Sequence, residues 1–535
     1  MKNDFIQSHS DICTKSKEVV FYSLGTFVGL FIASVPAMIS LYTFFYLKKT
    51  KTSLWLIILS AFLLRLLLSA LDPFLHNWDE RFHALVAKNM MQFPFKPMLN
   101  KNPILPYNYT DWSSNNIWLH KQPLFLWQMA FSMKLFGVNE IALRLPSVLM
   151  GTISVYFIYK ISEFWFKNEV TSFLSSLIFT FANYQLELTS GRLALDHNDV
   201  AFVFYVTASI WAFTCYLNSK FSIKWSITIG FLVGCAILNK WLTGLMVYSA
   251  WGMYIILAKN FRCNYKRYLD ILISILTCCL IFLPWQIYIS KNFPLESAWE
   301  FSSNIKHISE VMQGQHGGLF YHIRFLPNAY GSVLLIFLFV GSYFLIREKR
   351  IDKNFSIAIL TMTLGLFLFF SIIVKTKMPA FVYPANSIII SIIAFGFTKF
   401  LSLLSKRFPK KLFLQLVSIL ILSIVDLNPF AIIKQSSKTL TERNAILNNT
   451  QIYKSIDKKV NAEYVILNCK SFEDKDLMFY SNLTAYAWYP NKKIFDSLQV
   501  IGFKFATFKN HSNQILPDYI QSNERVLFID SEIKE

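Results

Sequence analysis

Long apolar runs broken by short polar interruptions dominate this chain. Runs near the roughly 18–20 residues that cross about 30 Å of hydrocarbon recur at 19–47, 54–71, 142–164, 170–188, 198–217, 225–239, 242–258, 269–290, 331–346, 355–374, 381–399 and 411–428. They predict about 11–12 transmembrane helices, with the boundary between 225–239 and 242–258 the least sharp. After 54–71 the period changes. Phe82, Val86, Met90 and Phe93 recur every three to four residues, the pattern of an amphipathic helix on the membrane surface. Past 428, runs such as Tyr464-Val465-Ile466-Leu467 and Val526-Leu527-Phe528-Ile529 alternate with helical patterns at 448–458 and 491–501, which predicts a small α/β domain. The expected fold is an all-α polytopic membrane protein with outer-face amphipathic helices and a small C-terminal α/β domain. Its expected parts are an extra N-terminal span at 1–53, a membrane domain at 54–428 whose first outer loop is 72–141, and a tail domain at 429–535.

Composition agrees with a bilayer and excludes a water-soluble protein. Of 535 residues 54% are hydrophobic and only 16% charged, too few charges to cover a soluble surface. The net charge of +20 is spread in short clusters between spans, which is the membrane pattern and not a basic stripe for nucleic acid. Lys48-Lys49, Lys220 with Lys224, Arg262 to Arg267, Arg347 to Lys353 and Lys406-Arg407 fall on one side if the spans alternate, and that side is expected to be cytoplasmic. The segments 72–141, 191–199, 291–330 and 375–379 and the tail then face the other compartment. The first apolar stretch is too long for a cleavable signal peptide and lacks a small-residue cleavage site. The seven cysteines show no metal-ligand spacing and are expected as small core residues.

The chemistry is expected on that outer side. Asp79-Glu80 follows directly on an apolar run, where a carboxylate pair must meet water or a partner. His83 is four residues from Asp79, hence on the same helical face. A carboxylate beside an imidazole suits general-base work, although acids also favour helix starts through the macrodipole. Asp196, with His197 and Asp199, begins another span on the same side, and Arg192 is close by in sequence. Lys240, Lys375 and Lys377 fall outside, against the positive-inside bias, and an anionic lipid headgroup would explain them. Arg65 lies within a span and is expected to pair inside the bundle. Gln315-His316-Gly317-Gly318-Leu319-Phe320-Tyr321-His322 offers two histidines and two aromatics. A divalent cation stays open as a cofactor, but no third protein ligand stands at convincing spacing.

An ordered series of motifs is similar to the membrane glycosyltransferases of the GT-C superfamily, nearest to the protein mannosyltransferase and lipid A aminoarabinose transferase group. It comprises Asp79-Glu80 with His83-Ala84, His120-Lys121-Gln122-Pro123-Leu124-Phe125-Leu126-Trp127, Leu135 to Glu140, Arg144-Leu145-Pro146-Ser147, Arg192 to Asp196, Leu238-Asn239-Lys240, Leu283-Pro284-Trp285, His316 to Tyr321, and Lys375 to Tyr383-Pro384. The resemblance covers roughly residues 54–400. It implies a sugar donor on a polyprenyl phosphate, a lipid, glycan or protein acceptor, and inverting displacement on the outer, periplasmic face of the bacterial inner membrane. Asp79 would be the base, with Glu80 and Asp196 also catalytic. Lys240, Lys375, Lys377 and Arg192 would hold the donor phosphate, and His83, Lys121, His316, Tyr321 and Tyr383 would line the site. Two features depart from the family: the span at 19–47 puts the N-terminus outside, and Gln122 stands where proline is common.

A transporter or lipid flippase would use the outer lysines and Arg65 equally well. It would not require a long outer segment opening on an acid pair, and the chain shows no repeated half with broken helices. A third reading is a catalytically silent assembly protein that binds partners through its tail.

Overall fold

A computed structural model describes residues 19–20, 24–192, 197–220, 222–407, 419, 426–435, 437–511 and 516–534. Eight helices among them are long and apolar enough to cross a bilayer: Leu24–Phe45, Thr50–Ser69, Glu140–Phe166, His197–Asn218, Ser222–Lys240, Tyr265–Asn292, Lys353–Ile373 and Tyr383–Leu404. A bent pair, Tyr321–Tyr330 and Ser332–Arg347, turns through 110° and makes a ninth if it counts as one span. The chain is a multi-pass membrane protein.

Eight or nine is fewer than the 11–12 expected from the apolar runs, and the reason is helix length. The run at 170–188 breaks at Ala182 into Glu169–Phe181 and Asn183–Ser190; thirteen residues rise only about 20 Å. The run at 242–258 opens with a 3-10 turn, Trp241–Leu245, before Met246–Leu257. The run at 411–428 lies almost entirely outside the described residues. Conversely Leu124–Phe136 is an apolar helix inside the expected outer loop.

By contacts the chain forms two compact units, residues 22–69 with 147–433 and residues 70–146 with 434–535. In the first unit close helix packing rests on glycines, as membrane helices require where little hydrophobic force drives association. A Cβ on Gly230 would stand 2.2 Å from the Ser274 carbonyl oxygen, and one on Gly234 would stand 2.7 Å from Ile281 Cβ. This Gly-x-x-x-Gly face lies against the helix Tyr265–Asn292. Gly341 and Gly396 do the same for another helix pair, each Cβ position being 2.1 Å from a backbone oxygen of the partner, Ile392 O and Phe337 O.

The second unit contains a parallel sheet of β1 (Tyr464–Leu467), β2 (Thr484–Ala485), β3 (Lys504–His511) and β4 (Val526–Ile533), in the order β2-β1-β3-β4. Its core joins Val465, Leu467, Phe495, Phe505, Ile520 and Val526 to Leu105 from the segment after the second span. That segment and the tail therefore share one hydrophobic core.

The glycine contacts predict a stability order. Gly230→Ala should lower the thermal unfolding midpoint in detergent, because overpacking costs about 1–3 kcal/mol. Gly252→Ala, where among the described residues nothing lies within 4 Å of the added methyl, should leave the midpoint unchanged or raise it, since alanine favours a helix interior over glycine.

Candidate functional site

In the second unit the site is built around one buried arginine. Arg144, near the start of the helix Glu140–Phe166, has no exposed surface. Its Nε donates to Glu80 Oε1 at 2.7 Å and its Nη2 to Glu80 Oε2 at 2.9 Å. Nη1 also donates to the Asp72 carbonyl at 2.8 Å and Nη2 to the Phe74 carbonyl at 2.6 Å. The His76 amide adds a 2.6 Å bond to Glu80 Oε2. The planar guanidinium matches a carboxylate with two parallel bonds, so Glu80 is fully committed to holding the turn from Asp72 to Glu80. Arg443 Nε donates to Asp72 Oδ1 at 2.8 Å and holds the other end.

That turn delivers Asp79 to the first position of the helix Asp79–Met90. The residue before it, Trp78, has φ 66 and ψ −123, a conformation costly for a non-glycine residue and kept where the surroundings enforce it. Asp79 is only 6% exposed. Lys121 Nζ stands 3.4 Å from its Oδ2, an ion-pair contact, while among the described residues that oxygen accepts no closer hydrogen bond. Burial alone would raise the Asp79 carboxyl; the charges of Lys121, His83 and His120 outweigh it and hold the group below its ordinary value. Aromatic rings pack around the two histidines whose charges act on the acid. His83 packs against Phe125 with ring centres 4.8 Å apart, His120 stacks on Trp112 at 5.1 Å, and Trp112 lies 4.8 Å from Phe82. Asp79, Glu80 and His83, expected together from helical spacing, and Lys121, expected from the resemblance, thus lie in one place, with different partners for the two acids.

In the first unit Lys240 forms an ion pair with Asp199 and lies 5.3 Å above the Phe381 ring. Asp196 lies outside the described residues. Arg192 donates to the Ile432 carbonyl and approaches Glu187 at 4.0 Å. Lys377 donates to the carbonyls of Phe370, Ser371 and Val374 at 2.6, 2.8 and 2.5 Å, closing the end of the helix before it. Lys375 is exposed, and its ammonium meets no partner among the described residues. Tyr383 is buried against Tyr184 and Tyr330, with ring centres at 4.7 and 6.3 Å, and its hydroxyl meets no hydrogen-bond partner among the described residues. Exposed His316 turns Nδ1 to the Gly314 carbonyl at 2.8 Å. Gly317 lies against the Tyr321 ring, where a Cβ would come within 2.4 Å. Among the described residues Arg65 pairs with no carboxylate. It donates to the Phe179 and Thr180 carbonyls at 3.3 and 3.4 Å, where the helix Glu169–Phe181 ends. Among the described residues no group of three or more His, Cys, Asp or Glu is placed to hold a metal ion.

Residues 120–288 match the family described as dolichyl-phosphate-mannose-protein mannosyltransferase. The solved structure of ArnT from Cupriavidus metallidurans bound to undecaprenyl phosphate is similar with a TM-score of 0.60 at 15% identity, over 83% of this chain and 87% of that one. The chain has the GT-C fold. AglB of Archaeoglobus fulgidus, an archaeal oligosaccharyltransferase solved with an inhibitory peptide and a dolichol-phosphate, is similar with a TM-score of 0.53 at 11% identity, over 82% of this chain and 64% of that one. In sequence, the undecaprenyl phosphate-alpha-4-amino-4-deoxy-L-arabinose arabinosyl transferase 2 of Proteus mirabilis is 25% identical over 266 residues, 48% of this chain and 46% of that protein. The chain spans about half the length of the curated relatives it matches.

Within this GT-C fold, sequence reasoning assigned no role to Arg144, to His120 beside Asp79, or to Asp199 as the partner of Lys240. Arg144 carried a usable signal, since a cation at the head of an apolar run demands a partner. Arg144→Leu should strand a buried carboxylate at Glu80 and destabilise the protein by about 3–5 kcal/mol. Arg144→Lys, which loses the two-toothed geometry, should fall between that variant and wild type. Thermal unfolding in detergent measures both.

Proposed function

We propose that the chain is a membrane glycosyltransferase that moves a sugar from a polyprenyl-phosphate donor to a lipid, glycan or protein acceptor on the periplasmic face of the bacterial inner membrane. The observation that carries this reading is the division of the acid pair. Glu80 is tied to Arg144, while Asp79 Oδ2 faces the Lys121 ammonium at 3.4 Å and accepts no closer hydrogen bond among the described residues. The likeness to ArnT bound to undecaprenyl phosphate and the match to the mannosyltransferase family support the class of donor.

The reaction is a single displacement. An acceptor oxygen attacks the anomeric carbon from the face opposite the phosphate, the bond from that carbon to the phosphate oxygen breaks, and the configuration inverts. The acceptor's proton passes to Asp79. A carboxyl held below its ordinary value is a weak base toward a resting hydroxyl. It becomes adequate as the attacking oxygen turns acidic on bonding to carbon. Negative charge gathers on the departing phosphate, and cations offset it.

Asp79→Asn should lower kcat by about 10²–10⁴ in a transfer assay with a polyprenyl-phosphate sugar, with the protein still folded; undiminished transfer would sink the assignment. The pH profile supplies a second test. Asp79 is depressed, so the wild-type carboxylate stays ionised through the ordinary carboxylate range and activity is lost only below it. Lys121→Met removes the largest lowering charge, so the acidic limb should move to higher pH.

A further inference from the structure

The helix that carries Asp79 is gripped by a short helix from the tail, Asp474–Tyr480. Arg81 and Lys88 stand seven residues apart, hence about two turns along one face of the Asp79 helix. Arg81 Nη2 reaches Asp476 Oδ2 at 3.3 Å, in the first turn of the tail helix. Lys88 Nζ donates to the carbonyls of Met478, Phe479 and Ser481 at 2.8, 3.0 and 2.6 Å, at that helix's other end. Those carbonyls are the groups a helix C-terminus leaves unpaired, and a cation there is doubly favoured. Between the two grips Lys475 Nζ lies 5.4 Å from the centre of the Phe82 ring, and Phe472 packs 6.1 Å from Phe82 and 5.5 Å from Trp78. Trp78 and Phe472 share an unusual backbone, both at φ 66. Two strained residues, one on each segment, meet ring to ring beside Asp79. Strain of this kind persists only where surrounding packing enforces it, and it gathers at functional positions.

We infer that the tail helix Asp474–Tyr480 is a positioning element for Asp79, gripping the Asp79 helix at both ends so that the tail sets where the carboxylate stands. The inference rests on the proposed role of Asp79 as base and gives the C-terminal domain a part in that reaction. Positioning matters here because small misplacements of a reacting group cost large factors in rate. The grip is also sensitive to pH. Burial brings the Lys88 ammonium down to about 8, with Asp457 raising it and Lys101 lowering it further. As pH rises past that value the ammonium loses a proton, and with it the charge that holds the three carbonyls.

The test uses the full chain in lipid nanodiscs, with two readouts: amide hydrogen exchange of residues 79–90, and transfer from a polyprenyl-phosphate sugar. Lys88→Met should speed exchange across 79–90 and lower kcat at least tenfold, with the donor KM within twofold of wild type. Lys88→Arg stays charged at every accessible pH. It should restore kcat and carry activity beyond pH 8, where the wild type declines. A folded Lys88→Met protein with wild-type exchange or wild-type kcat overturns the inference, as does a Lys88→Arg profile that still falls near pH 8. If Lys88→Met fails to accumulate, Phe472→Gly replaces it, since glycine accepts φ 66 without strain while the contact to Trp78 is lost. Faster exchange at 79–82 is then expected, and unchanged exchange overturns the grip. Because exchange does not depend on chemistry, the two proposals fail separately. Loosened exchange in Lys88→Met with full transfer by Asp79→Asn removes the base and keeps the grip. Unchanged exchange in Lys88→Met with an inactive Asp79→Asn removes only the grip.

Discussion

The pairing of Arg144 with Glu80 is the contact on which the geometry around Asp79 depends. A guanidinium with no exposed surface is costly to remove from water, and the cost is offset only when its donors find close partners. Here they find both oxygens of one carboxylate and two backbone carbonyls, those of Asp72 and Phe74. Four acceptors from a nine-residue stretch are thereby drawn onto one plane, which fixes the turn and the direction in which the next helix leaves. Trp78 holds its unfavourable backbone angles inside a constrained turn, with Asn77 before it held by Arg81 and Glu80, two residues on, held by Arg144. The two adjacent acids so alike in sequence differ because only one of them faces the arginine.

A second regularity concerns cations and helix ends. Lys88, Lys377, Lys353 and Arg65 each donate to carbonyls at or near the end of a helix. In an apolar surrounding an unpaired carbonyl is expensive, and the helix dipole adds attraction for positive charge. A lysine on the outer side of a membrane protein therefore has two uses, an anionic ligand or an open helix end. Sequence alone does not separate them. Lys377 has the second use, with three carbonyls on its ammonium, whereas Lys375, two residues earlier, is exposed.

The long spans were legible because twenty consecutive apolar residues have few other solutions in a bilayer. Short helices were not, because hydropathy records composition and is blind to a break such as the one at Ala182, where Arg65 collects the carbonyls left open. The α/β character of the tail followed from its alternating runs, and the four parallel strands bear it out. Nothing in the pattern announced that Leu105 belongs to the core of that sheet, since packing across several hundred residues leaves no local periodicity. The site divides along the same line. Asp79 with His83 follows from helical spacing, and Lys121 entered through an ordered set of motifs. Lys88 escaped notice because its partners are backbone atoms, which have no letter in a sequence.

The electrostatics around Asp79 bear on what kind of catalyst it can be. Lys121, His83 and His120 stabilise its charged form against the penalty of burial, so the site favours a lasting carboxylate over a strong base. Basicity given up in this way has to be recovered elsewhere. Only interactions stronger in the transition state than in the ground state accelerate a reaction, and the base proposed here would supply one through its placement as the acceptor's proton loosens. Such a site depends on orientation far more than on proton affinity. On the proposed reading, the arginine fork, the strained Trp78 backbone and the two-ended hold by the tail helix serve orientation, which a base working by affinity alone would not need.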